Sequence, residues 1–204
     1  MAITGHTARA INWIVVAGAA GPGLVLFGIG MGFHGQDWAT SAVRGGLLLL
    51  AVPAAFMLDD PSVSVVAASP RSPWWDLAGR LLGLLAVVAA ICGLTWWWNS
   101  VTPTPQAWLL ALLPACLALL AVSGALLLRR FGRATPGDVI ASVLGFAILG
   151  LALFNPTYRT WEALPFPGSA GPADVTAWIV LAGLAGAVLL IAPSSRGPRQ
   201  AVDG

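Results

Sequence analysis

The feature that most constrains this chain is its succession of apolar stretches, several of which reach or approach the length needed to cross a bilayer. A helix rises about 1.5 Å per residue, so roughly 20 apolar residues span the hydrocarbon. Ile11 to Phe33 meets that length with room for tilt. A water-soluble domain carries about 25% charged residues to cover its surface. This chain has 9% charged and 58% hydrophobic residues. It is therefore read as an all-α, polytopic membrane protein with one transmembrane domain.

The runs predict six spans, at about residues 11–33, 40–58, 77–98, 106–128, 138–154 and 174–192, with 193–204 as a mobile polar tail. Gly21-Pro22-Gly23 predicts a kink or break in the first span. Broken helices mark substrate sites in some transporters, and a packing kink is the plainer reading. Arg44 lies near the first turn of the second span, where its side chain can snorkel to the interface. Thr102-Pro103-Thr104-Pro105 predicts a stiff turn, and Thr135-Pro136-Gly137-Asp138 a capped helix start. Residues 157–164 predict a short amphipathic helix in the interface. Gly18, Ala19 and Gly23, or Gly183 and Ala187, fit close helix packing, but a chain with 24 glycines yields such spacings by chance.

All ten basic residues are arginine. With the N-terminus inside, Arg9, Arg71, Arg80, Arg129, Arg130, Arg133, Arg196 and Arg199 are cytoplasmic, and only Arg44 and Arg159 lie outside. That bias predicts a multi-pass plasma-membrane protein with both ends in the cytoplasm. The first apolar run is too long for a cleavable signal peptide.

The most polar interruption runs from Leu58 to Asp76. Asp60 can cap a helix that starts at Pro61 and ends near Ala68, giving about two turns. Ser69-Pro70 stops it, and Ser72-Pro73 starts the next helix. Asp59, Asp60, Pro61, Val63, Val65 and Val66 then form a candidate contact surface for a partner. Asp59 and Asp60 can alternatively hold a divalent cation, although further ligands are missing from the neighbouring sequence. Trp74 and Trp75 read as interface anchors, as do Trp96, Trp97 and Trp98, which could instead line an aromatic site.

Other chemistry has little support. Without lysine there is no phosphate-binding Gly-x-x-x-x-Gly-Lys loop, so ATP hydrolysis by that route is excluded. No zinc-protease or serine-hydrolase motif occurs, and His6 and His34 do not form a haem pair. Cys92 and Cys116 read as small apolar residues. A net charge of +2 gives no support to a nucleic-acid partner. No cofactor is expected. The spans carry few carboxylates in their middles, which argues against proton-driven transport.

Phe56-Met57-Leu58-Asp59-Asp60-Pro61, followed by Ala67-Ala68-Ser69-Pro70, resembles small actinobacterial membrane proteins of ABC systems. The overall pattern is similar to permease subunits of the ABC-2 type exporter family. That resemblance covers the whole chain as topology and about 20 residues as motif. It implies six spans, a coupling helix between spans two and three, and short helices between spans five and six. It also implies a non-enzymatic permease subunit of an exporter, a separate cytoplasmic ABC ATPase and a second membrane subunit. The N-terminal segment departs from the pattern, being too short for the usual elbow helix. A non-transporting assembly or sensor protein, with its loop bound to a regulator, is the alternative, and a small membrane enzyme acting on lipid is a third.

Overall fold

A computed structural model describes residues 13–36, 38–59, 73–131, 135–154, 157–158, 161–162 and 172–191. Its α-helices are α1 (Trp13–Gly32), α2 (Ala39–Leu49), α3 (Pro73–Val101), α4 (Leu109–Arg130), α5 (Pro136–Phe154) and α6 (Pro172–Ile191). A 3₁₀ helix, Val52–Leu58, follows α2. Four apolar stretches are long enough to cross a membrane: Ile14–Gly32, Ala39–Met57, Leu81–Val101 and Leu109–Arg130. Large apolar side chains such as Ile14, Leu82, Leu85, Phe146, Leu184 and Leu190 face outward. Water solvates such a surface poorly and lipid solvates it well. The chain is a helical membrane protein.

Helix α2 ends where it does because Pro53 has no N–H, and its ring would collide with the carbonyl four residues back. The chain responds by tightening. Ala51 N–H donates to Leu48 O, Ala54 N–H to Ala51 O, and Asp59 N–H to Phe56 O, each at 3.1 Å. These are three-residue steps rather than four.

The run Ala39–Met57 and helix α4 form the centre of the bundle. Across an apolar 18-residue stretch of each, 61% of the residues are buried, against 22% within Ile14–Gly32 and 28% within Leu81–Val101. The 3₁₀ helix packs on α4, α5, α1 and α3, and α4 also packs on α2, α3, α5 and α6. Where they meet, the core is built of small residues: Ala51, Ala54, Ala55, Ala118, Ala121 and Ala125 are all buried, with Leu84, Val122 and Leu189 around them. Small side chains let helix axes approach closely, so dispersion contacts and backbone proximity replace large interlocking side chains.

Helix α1 uses glycine for the same purpose. A Cβ on Gly23 would lie 2.8 Å from Gly46 O, and one on Gly46 would lie 2.7 Å from both Gly23 O and Phe27 N. Two turns on, a Cβ on Gly30 would lie 2.9 Å from Ala39 O. Of the kink or break expected at Gly21-Pro22-Gly23, the break does not occur. Helix α1 continues through Pro22, and Gly23 serves as a contact point with α2.

Two further expectations are corrected. Residues 157–158 and 161–162 form an antiparallel ladder, Thr157 opposite Glu162 and Tyr158 opposite Trp161, in place of an amphipathic helix. Arg44 is buried, with only 7% of its surface exposed, so it does not snorkel. It shares a helix face with Leu48, four residues on. Leu48 packs among Leu113, Cys116, Ile148 and Trp178, which turns that face into the bundle. The small-residue spacings at Gly18 and Gly183 behave as chance matches: among the described residues, no neighbouring atom lies within 4 Å of a Cβ built on either.

Candidate functional site where the second span ends

The 3₁₀ helix delivers Asp59 to the start of α5. Gly137 N–H donates to Asp59 Oδ1 at 2.8 Å, across 78 residues of sequence. Gly137 lies in the first turn of α5, where backbone N–H groups lack partners within the helix. A carboxylate there satisfies one of them and sits favourably at the positive end of the helix dipole. Asp138, in the same turn, adds a second negative charge near that end.

The approach is close because residue 137 is glycine. A Cβ there would run into the Asp59 carboxylate and lie 2.9 Å from the Phe56 ring. The preceding turn is held from another side by Met57. Its sulfur would be 2.7 Å from a Cβ on Gly83 of α3, so this helix also leaves room for it. Asp59 is thus a tertiary cap, joining the end of the second span to the start of α5.

Sequence reasoning singled out Asp59 but paired it with Asp60 and the chain that follows. Asp60, Pro61, Val63, Val65 and Val66, with the expected helix over 61–68, lie outside the described residues. So does the tail, 193–204. Trp74 and Trp75 fall in the first turn of α3, whose start at Pro73 matches the expected helix start. Among the described residues, no group of three His, Cys, Asp or Glu side chains is placed to hold a metal ion.

The three consecutive tryptophans have different fates. Trp96 and Trp97 are 75% and 51% exposed, and together with Phe33, Trp38 and Trp108 they surround one end of the bundle. Aromatic side chains of this kind settle at the level of lipid headgroups. Trp98, expected as an interface anchor, is instead fully buried among Phe27, Val43 and Leu110. Its Nε1–H donates to Thr104 Oγ1 at 3.2 Å, and the Thr104 hydroxyl donates to Thr102 O at 2.9 Å. Thr104 N–H donates to Asn99 Oδ1 at 3.1 Å. Trp98 therefore fastens the turn after α3 to the core.

A polar contact ties α4 to α6. The Ser123 hydroxyl lies 2.8 Å from Leu119 O in its own helix and 2.9 Å from Ala185 O in α6. One hydroxyl proton is shared between two acceptors. Sequence spacing gave no hint of Ser123, because its partner comes from a different span.

No protein-family model, curated protein or solved structure matches this chain.

Proposed function

We propose that the chain is a six-span permease subunit of an ABC-type exporter in the plasma membrane, with both ends in the cytoplasm. A separate ATPase engages the 59–76 connection. The observation that carries this reading is the Asp59 cap on α5. A load applied to the connection just after Asp59 reaches α5 as well as the span that it leaves. That is what a coupling element between an ATPase and a membrane subunit requires. The alanine-filled centre leaves no room for a solute between the 3₁₀ helix and α4. The transport path in this reading lies at the boundary with a second membrane subunit, either identical or different.

The closed centre also favours a second reading, a non-transporting assembly or sensor protein whose loop binds a regulator. Affinity purification of the full chain from native membranes, followed by mass spectrometry, separates the two. The permease reading expects a protein with a phosphate-binding Gly-x-x-x-x-Gly-Lys loop to co-purify. Val65→Asp and Val66→Asp, at the expected contact surface, are then expected to lose that protein while still inserting into the membrane. Co-purification of a regulator and no ATPase overturns the permease reading. An ATPase retained equally by both variants overturns the docking surface.

A further inference from the structure

The geometry points to a conformational switch in the second span: Val52–Leu58 interconverts between the 3₁₀ form and an α-helix, and the Asp59–Gly137 bond is the latch that holds the 3₁₀ form. This inference is independent of whether the chain transports anything.

Three observations carry it. First, the 3₁₀ helix covers seven residues, whereas runs beyond three or four are uncommon. Second, its own residues favour the other form. Ala54, Ala55, Met57 and Leu58 belong to the best α-helix formers. Pro53 explains why the tightening begins, since its ring opposes the carbonyl four residues back, but it does not explain why the tightening continues to Leu58. Third, the segment is pinned at its far end, where Asp59 Oδ1 accepts from Gly137 N–H of another helix.

The two forms differ enough to make the bond incompatible with one of them. A 3₁₀ helix rises about 2.0 Å per residue and an α-helix about 1.5 Å, so seven residues shorten by about 3.5 Å on conversion. The change from about 120° to about 100° per residue turns the end of the segment by roughly 140°. Asp59 is then withdrawn and rotated away, and a 2.8 Å bond cannot survive. The surroundings suit such a rotation. Ala54 and Ala55 present only methyl groups to α4, so turning them displaces little volume on that side, while Met57 must leave its place against Gly83. The carboxylate released by α5 leaves an unpaired N–H at that helix's first turn, which makes the two states discrete.

The test is solid-state NMR of the full-length protein in lipid bilayers, with Ala and Met labelled so that the backbone torsions of Ala54, Ala55 and Met57 are read. The variant is Asp59→Cys with Gly137→Cys, and with Cys92 and Cys116 replaced by alanine. It is measured oxidised and then reduced, so that one protein serves as its own folding control. The expected result is ψ near −25° with the cross-link closed and near −42° after reduction, a shift of about 17°. A parallel pair avoids the cross-link: Asp59→Ala is expected to show the α values, and Asp59→Asn, which keeps an acceptor oxygen, the 3₁₀ values. Torsions that do not change between the oxidised and reduced protein, or that stay 3₁₀ in Asp59→Ala, overturn the switch.

Discussion

The first half of the second span, α2, touches α1 backbone to backbone through Gly23, Gly46 and Gly30. The second half, the 3₁₀ helix, meets α4 through alanine side chains and ends on a hydrogen bond to a distant helix. Both halves are buried, yet they tolerate change differently. Backbone atoms cannot move aside without moving a helix, whereas methyl groups can slide past one another. The glycine contact is therefore rigid, and the alanine contact is permissive.

Gly46→Leu breaks this comparison most directly. Its Cβ alone would lie 2.7 Å from two backbone atoms of α1, so α1 and α2 must separate. A loss of about 3 kcal/mol or more is expected, at the upper end of what overpacking causes. Unfolding of the detergent-solubilised protein by SDS titration measures it. A loss under about 1 kcal/mol contradicts the rigid contact. At the other half, Asp59→Ala removes a cap and is expected to cost about 1 kcal/mol, with Asp59→Asn costing much less. If the two variants are equally destabilised in the same titration, the negative charge matters more than the hydrogen bond.

Smaller effects sharpen the boundary between the centre and the periphery. Ser123→Ala removes the α4–α6 bond and is expected to cost about 0.6 kcal/mol, typical of hydrogen bonds between membrane helices. Gly18→Ala meets open space, so it is expected to cost nothing and to gain up to about 1 kcal/mol from helix propensity. A loss at Gly18 in the same assay indicates a contact with another protein there.

The apolar helices were legible because an apolar run of sufficient length has few alternatives. Helix boundaries followed from proline and from polar turns, as at Pro73 and Pro136. The partner of Asp59 was not legible, because it comes from 78 residues away and local spacing favours the neighbouring Asp60. The Gly21-Pro22-Gly23 motif left a break and a packing role both open for a related reason. The residues that weaken a helix are also those that allow another helix to approach, and only the neighbour decides between them. Trp98 could have been distinguished from Trp96 and Trp97. It lies seven residues beyond Ile91 and fourteen beyond Leu84, both buried, and such spacing keeps residues on one helix face. Arg44 carried no comparable signal, since a position near the start of a span with Thr40 and Ser41 one turn back suits an interfacial arginine as well as a buried one.

The centre of the bundle is assembled from distant parts of the chain, with consequences for synthesis. The 3₁₀ helix and its main partner α4 are separated by the whole of α3. At translation rates of about 5–20 residues per second, roughly 3–13 s pass between the emergence of residue 58 and that of residue 122. During that interval α1 and α2, joined by a short turn, can already form their glycine contact as a hairpin. The alanine surface of the second span must wait. This orders biogenesis into an early hairpin and a late closure, completed when α5 arrives and Asp59 finds its amide.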